Sequence, residues 1–470
     1  MINNLLMLTL FVPLFTVSGI ICLNNTNENG IKNVSLWGAV FAFVLSFISC
    51  FLMNKAVNID AIFFMFHISK MSLYFMTITS FVVMVSVAIG RYECSFFPKK
   101  FNSAVMGIEA LLFLIFTNEN IVTFYVLIVM MVTVTFILIN HFTSKLARKI
   151  FTLQSIGVLC LFCGIVYVVH ISGTDDISSI SQYAFSIVQE RIVFWTMMPL
   201  FIVLSAMFPF HSSMIDTLSI VPTSVAIIVS NICMRLSAFG IIFILLQIAP
   251  HACATYQMLV ASICILAIFC NIIEMMFFQN LKQVVAGINI IVSAIIILGM
   301  FSLNTAGESG SLLCMSGYSI TTVGLYLFVY LIEKYSINCS IKIKGLIHKM
   351  PTIAILSELS ILSIGAVPLL PCFFGEVALM TAFFDEHIIL CCLLGSGFIA
   401  FNFISFAIFQ KTIFGEDCDK VTINKCDIFM VTFVCISVLL VGLASPGIQR
   451  FTTSAINDSR IKDLYKNVDL

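Results

Sequence analysis

Charge is what this chain has least of. Only 10% of its 470 residues are Asp, Glu, Lys or Arg, where soluble chains carry about a quarter, and that scarcity excludes a water-soluble domain. The 23 Lys and Arg balance the 23 Asp and Glu, so no basic surplus exists to attract nucleic acid. Long polar segments are also missing, and neither GxGxxG nor a P-loop occurs, so nothing is laid out to hold a nicotinamide, a flavin or a nucleotide. The expectation is no cofactor and no redox chemistry in this chain. The 17 cysteines do not change that reading. Cys160, Cys163, Cys264, Cys270, Cys391 and Cys392 lie scattered inside apolar runs, and the CxxC of Cys160 and Cys163 has no second pair to complete an iron–sulfur or zinc set. They read as small buried hydrophobes.

Apolar residues are what is there. They make up 60% of the chain, with a mean hydropathy of +1.11. A membrane-crossing helix needs about 20 such residues. Runs of that kind fall near 4–23, 34–53, 71–90, 103–116, 120–140, 151–171, 193–208, 221–247, 255–278, 284–303, 311–332, 353–382, 388–410 and 428–449. The expected fold is an all-α polytopic membrane protein of about 14 transmembrane helices in a lipid bilayer. The opening run lacks a basic flank and a small-residue cleavage site, so it reads as an uncleaved first span. The segment SSISQYAFSIVQERI (178–192) is too polar to cross and is expected at the interface or on a partner.

Basic residues orient the spans. Loops after odd-numbered spans hold 15, among them Arg91, Lys99, Lys100, Lys145, Arg148, Lys149, Lys282, Lys334, Lys342, Lys344 and Lys349; loops after even-numbered spans, with the tail, hold 7. The excess of positive charge places the odd loops in the cytoplasm or matrix and both termini on the far, periplasmic side.

Two spans are interrupted. The seventh carries Pro199 and then runs into FPFHSSMIDTLSIVPT (208–223), with Pro209 in its path, and the twelfth reads SIGAVPLLPCFFGE, with Pro368 and Pro371 in mid-run. Proline removes an amide donor and clashes with the preceding turn, and the freed carbonyls must then be met by protein or by water in a cavity. The two lie five spans apart, and an odd period reverses the second five-helix unit relative to the first. Paired breaks in inverted repeats mark an ion or substrate path near the midplane; a plain proline kink would explain either one alone. The implied organisation is an N-terminal group of three helices (1–102), a first repeat of helices 4–8 (103–247), an inverted second repeat of helices 9–13 (248–412), and helix 14 with its tail (413–470).

An ionisable residue inside a span costs about 2.5–3.5 kcal/mol on insertion scales, so each invites a reason. Glu109, Arg235, Glu274 and Glu376 qualify. Arg235 lies mid-span, whereas Glu274, near a span end, reads as snorkelling or structurally paired. A proton path needs acids and bases at intervals with movable proton affinity. Arginine does not release its proton, though as a fixed charge it tunes a nearby glutamate.

These residues resemble a family, the antiporter-like membrane subunits of respiratory complex I, in the branch of subunit M of bacterial NADH–quinone oxidoreductase (subunit 4 in mitochondria), related to the D-type component of multi-subunit Na+/H+ antiporters. FPFHSSMIDTLSIVPT is similar to the family's FPFHTWLPDAHTEAPT, keeping Phe208, Pro209, Phe210, His211, Asp216, Pro222 and Thr223. MRLSAFG (234–240) resembles LKLGTYG, NLKQVVA (280–286) resembles DIKRLLA with Lys282 kept, GLIHKMP (345–351) resembles GLAKRMP, and PLLPCFFGE (368–376) resembles PGLNGFVGE. Glu109 and the Phe124-Tyr125-Val126 triplet keep the family's separation. The resemblance covers about 65–415. Glu376, where the L and N branches and the antiporters usually carry lysine, points to branch M; an antiporter or hydrogenase-associated subunit is the alternative.

The resemblance implies a proton-translocating membrane-arm subunit with L-, N- and K-like neighbours, in a bacterial inner or mitochondrial inner membrane, with quinone and NADH handled by partner subunits. The proton-path candidates it implies are Glu109, Arg235, Glu376, Lys282, His211 and Asp216. The departures are equally specific. Val129 and Leu204 stand where the family has its glutamate–lysine pair, Arg235 replaces a lysine, Val292 and Tyr318 replace histidines, and Leu218 and Ile220 replace a loop histidine and glutamate. The first half-channel is stripped of both members of its pair. Two readings stay open, a transporter whose second half-channel is carried by Glu376 and Arg235, and a membrane spacer that moves no protons.

Overall fold

The computed structural model describes residues 2–55, 61–63, 66–335, 344–384, 387–415 and 422–458; of the basic residues named above, Lys342 lies outside them. In chain order come α1 (Ile2–Cys22), α2 (Glu28–Lys55), a short antiparallel pair β1 (Ala61–Phe63) and β2 (Phe66–Ile68), α3 (Lys70–Glu93), α4 (Pro98–Thr117), α5 (Ile121–Asn140), α6 (Ser144–Ser172) and α7 (Ile177–Ile180). Then follow α8 (Ile187–Leu204), α9 (His211–Ile220) and α10 (Thr223–Gly240), the last continuing through a π-helical turn (Ile241–Leu245) into α11 (Leu246–Ile248). The rest are α12 (Pro250–Met275), α13 (Leu281–Met300), α14 (Thr305–Lys334), α15 (Leu346–Lys349), α16 (Pro351–Ile364), α17 (Pro371–Phe384), α18 (Ile388–Ile413) and α19 (Lys425–Asp458).

The chain is a multi-pass helical membrane protein. Among the described residues, 13 helices are long and apolar enough to cross a bilayer, and the twelfth expected span is present as two shorter apolar helices, α16 and α17. Helices dominate because hydrocarbon offers no partner to a free N–H or C=O, and a helix satisfies both internally.

Their starts are written locally. Asn120 accepts from the amides of Val122 and Thr123 at 3.0 and 2.9 Å, and Asn280 accepts from Lys282 at 3.1 Å, the expected work of an N-cap side chain. Pro98 and Pro351 sit at the first turns of α4 and α16, where a missing N–H costs nothing. Two further starts are closed by carboxylates from other helices. Glu93 accepts from Thr223 and Ser224 (3.2 and 2.8 Å) at the head of α10, and Glu190 accepts from Ala252 (3.0 Å) at the head of α12.

Glu190 also explains a difference from the sequence reading. The polar stretch 178–192 is not wholly outside the span, because α8 begins at Ile187 and ends at Leu204. The buried Glu190 side chain is consumed by the amide it caps, so its charge does not end the helix. Before it, the turn at α7 is held by Asp176. Burial would raise that carboxyl, but hydrogen bonds from Ser178 and Ser179 outweigh it and hold it below its ordinary value.

The residues form two compact units. One runs to Leu204 and includes Ile220–Thr255; the other comprises Ser205–Ser219 and Tyr256–Asn457. In the first, α3 and α10 are the innermost helices, with every residue of Thr223–Gly240 buried. In the second, α14 is buried throughout Gly307–Ile332 and packs on α13, α16 and α17. The end of α14 is tied to α19 by Lys334 Nζ, which reaches both oxygens of the fully buried Asp427 at 2.7 and 2.8 Å. Tyr335 Oη donates to the same carboxylate and accepts from the Asn424 amide. Burial, with the Asp427 charge, raises this phenol above its ordinary value against the opposing Asn424 bond.

Candidate functional site

Both expected interruptions exist, and they match. Between α8 and α9 six residues, 205–210, leave the helix; between α16 and α17 six residues, 365–370, do the same. The second residue of each is an alanine in the left-handed region, Ala206 at φ +52° and Ala366 at φ +49°, and Leu369 joins them at +76°. Such a residue costs on the order of 1–3 kcal/mol. Each break closes a turn from its third to its sixth residue, Phe210 N–H to Met207 O at 2.7 Å and Leu370 N–H to Val367 O at 3.1 Å. Pro209 and Pro368 lie within the breaks, and Pro371 opens α17. A break followed by a new helix presents free backbone groups to whatever lies beside it.

In the second unit, the break is dressed with polar side chains. Glu376 stands on α17, five residues past the start of that helix, and is buried. Its carboxylate accepts from Tyr318 Oη of α14, and from Asn402 Nδ2 of α18 at 3.0 and 3.2 Å. Two glycines make this meeting possible. A Cβ on Gly375 would lie 2.9 Å from the Cys314 amide nitrogen, and one on Gly317 would lie 3.1 Å from the Pro371 carbonyl carbon. With hydrogen at both places, α14 and α17 close until Tyr318 and Glu376, each the next residue along, touch. Beside them Thr321, Ser363 and Cys372 join side chain to side chain, at 3.0 Å for the hydroxyls and 3.4 Å for Ser363 to the thiol.

Other candidates lie in the same unit. Lys282 is buried at the start of α13 and pairs with Glu333 at 2.9 Å. From Lys282 to Asn289 and Ser293 the spacings are seven and four, which puts all three on one helix face, and Ser293 donates to the Ser205 carbonyl of the first break at 2.7 Å. His211 is buried at the head of α9, its Nε2 2.8 Å from Glu274 Oε1 of α12. Asp216 is exposed on α9.

The first unit is barer. Glu109 is fully buried on α4, and neither carboxylate oxygen has a hydrogen-bond partner. Arg235, fully buried on α10, donates from Nη2 to Asn231 Oδ1 at 3.2 Å, while its Nε finds no acceptor. Val129 on α5 is exposed and Leu204 buried, so apolar atoms occupy both positions.

Sequence reasoning did not single out Asn402, Asn289, Ser293 or Glu358. Asn402 left no signal, being an ordinary residue of a long apolar run. The seven–four spacing from Lys282 was available. So was Glu358, a fifth ionisable residue inside a run; it lies on α16 and accepts from Gln410 Nε2 of α18. No group of metal-binding side chains occurs among the described residues.

A family model described as NADH:quinone oxidoreductase/Mrp antiporter, transmembrane, matches residues 104–402. The chain is similar to NADH-quinone oxidoreductase subunit M of Rickettsia bellii, 23% identical over 457 residues and covering 92% of each chain. Its fold is similar to a chain of respiratory complex I from Thermus thermophilus, with a TM-score of 0.87, 18% identity and 99% of both chains covered. It is also similar to a chain of the Mrp complex from Dietzia sp. DQ12-45-1b, with a TM-score of 0.85, 14% identity and 97% and 98% covered.

Proposed function

The chain belongs to the NADH:quinone oxidoreductase/Mrp antiporter transmembrane family, and from that membership we propose that it is a membrane-arm subunit of an NADH–quinone oxidoreductase, of the subunit M kind, which moves protons as quinone is reduced in partner subunits. Its neighbours in the arm are L-, N- and K-like subunits. Helices 4–8 (103–247) and 9–13 (248–412) are its two repeats, inverted because five spans separate them, and both termini lie on the periplasmic side. Ion transport is carried by the second repeat.

The observation that supports this reading is the seat of Glu376. A carboxylate buried beside a helix break, met by a phenol and an amide from two further helices, is the kind of group a membrane retains for proton traffic.

A second reading, a spacer that joins neighbours and moves nothing, is favoured by one observation, the apolar residues Val129 and Leu204 where the resemblance leads one to expect an ion pair. One measurement separates the two. Proton uptake per electron pair is followed in vesicles holding the purified complex, for wild type, Glu376→Gln and Arg235→Met. The transporter reading expects a lowered ratio for Glu376→Gln; a wild-type ratio in both variants overturns it.

A further inference from the structure

The seam between α16 and α18 holds a second carboxylate, on the other side of the break from Glu376. Glu358 is half-buried on α16, and one of its oxygens accepts from Gln410 Nε2 of α18. α18 runs for 26 residues, about 39 Å, beyond a hydrocarbon core of roughly 30 Å, and Gln410 stands in its last turn. That bond brings Glu358 to the membrane boundary, where α15, with His348 and Lys349, packs on both helices. Carboxylates that clamp helices elsewhere in this chain meet a cation or free backbone amides. Glu333 takes Lys282, Asp427 takes Lys334, and Glu93 and Glu190 take the heads of α10 and α12. Glu358 is met by a neutral amide, and its Oε2 is buried with no protein partner.

Two more unmet polar atoms stand on α18 between the two carboxylates. Asn402 donates to both oxygens of Glu376, but its own Oδ1 is buried without a partner. Ser405, one turn on and fully buried, has its hydroxyl equally unmet. Neighbouring hydroxyls close on a carbonyl of their own helix, Ser357 on Ala354, Ser396 on Leu393 and Thr412 on Phe409; that of Ser405 does not. From Asn402 to Gln410 the helix rises about 12 Å, with Ser405 on the way. Buried polar atoms that the protein leaves unmet are the places where ordered water is held. We propose that Glu358 is a proton-carrying residue that links Glu376 to the aqueous face beside α15, through water held by Asn402 and Ser405 along the α16–α18 seam. This rests on the transporter reading above. The transfer balances without a co-reactant. Ionised Glu358 takes a proton from bulk water and gives it to the first water of the seam. Each water passes one proton on, the last to the carboxylate of Glu376, and Glu358 is left ionised to load again.

The test uses the complete complex in vesicles, reading protons taken up per electron pair. Glu358→Gln keeps a hydrogen-bonding side chain against Gln410 but cannot carry a proton, whereas Glu358→Asp can. Ser405→Val and Ser405→Thr share a shape and differ in the hydroxyl that water needs. Glu376→Gln and the double variant Glu358→Gln/Glu376→Gln complete the set. The proposal expects Glu358→Gln to lower the ratio by as much as Glu376→Gln does, the double variant to lower it no further, and Glu358→Asp to recover most of it. It also expects Ser405→Val to fall below Ser405→Thr. A wild-type ratio in Glu358→Gln alongside a lowered one in Glu376→Gln overturns the seam and leaves the transporter reading standing. A wild-type ratio in Glu376→Gln overturns both. Equal losses in Glu358→Gln and Glu358→Asp overturn the role of Glu358, because they mark a side chain needed for its fit and not for its proton, and equal ratios in the two Ser405 variants overturn the water path.

Discussion

Two buried glutamates, Glu109 and Glu376, should respond to one substitution with opposite signs. Methionine copies the length of glutamate without its polar atoms, and Glu109 and Glu376 differ in what they would leave behind. Glu109 gives no hydrogen bond to the protein and receives none. A polar group buried without a partner costs about 1–3 kcal/mol by mutational data, so Glu109→Met should stabilise the first unit by that amount. For a unit of this size 1 kcal/mol is worth about 2–4 °C, and the expected rise is roughly 2–12 °C. Glu376→Met does the reverse. It strands the Tyr318 hydroxyl and the Asn402 amide in apolar surroundings, at about 1–3 kcal/mol for each orphaned group, and the second unit should unfold earlier. Local unfolding can be followed in the purified complex by thiol labelling read by mass spectrometry, at buried Cys94 and Cys233 for the first unit and at Cys314 and Cys372 for the second. If Glu109→Met lets Cys94 and Cys233 react at a lower temperature than in wild type, the carboxyl has a stabilising role and the reasoning is refuted.

Two further outcomes follow from packing and from charge. Gly375→Val pushes a branched side chain onto the Cys314 backbone and should cost about 1–3 kcal/mol or more as overpacking, with proton uptake falling to the level of Glu376→Gln because Tyr318 no longer reaches its acceptor; uptake at the wild-type ratio would show that the close approach of α14 and α17 is not what seats Glu376. Asp427→Asn leaves Lys334 without its buried counter-charge and should destabilise by about 3 kcal/mol, seen as faster amide exchange at the end of α14, while the pair Lys334→Met and Asp427→Leu together should restore most of the loss; exchange unchanged in the single variant would show the clamp to be idle.

Much of this was legible in the sequence because hydrocarbon leaves so few choices. Run length sets the spans, and Pro209, Pro368 and Pro371 pointed to both breaks, but proline alone does not open a helix here: Pro13, Pro199 and Pro446 lie inside the unbroken α1, α8 and α19. What was illegible depends on partners distant along the chain. Glu190 reads as a charge too polar for a span until the amide of Ala252 is known to consume it. Glu274 reads as a snorkelling acid until His211 is found beside it. Asn402 is one more residue of an apolar helix until its amide meets Glu376. The left-handed Ala206 and Ala366 were equally hidden, since alanine is an ordinary helix former and adopts that backbone only where the surrounding chain compels it.

The two halves of the molecule also bear on whether a break makes a channel. Elements recur at a separation of 160 residues: α5 begins at Ile121 and α13 at Leu281, both capped by asparagine, and the left-handed alanines stand at 206 and 366. The backbone device is thus present twice, strain included. Its polar dressing is not. Where α13 carries the buried Asn289 and Ser293, the same separation leads to Val129 and Thr133 on α5, and where α17 carries the seated Glu376 it leads to Asp216, exposed on α9. The two breaks carry different titratable groups, His211 with Glu274 at the first and Glu376 with Tyr318 at the second, so the shared backbone device by itself does not define a proton path. The side chains that meet it must.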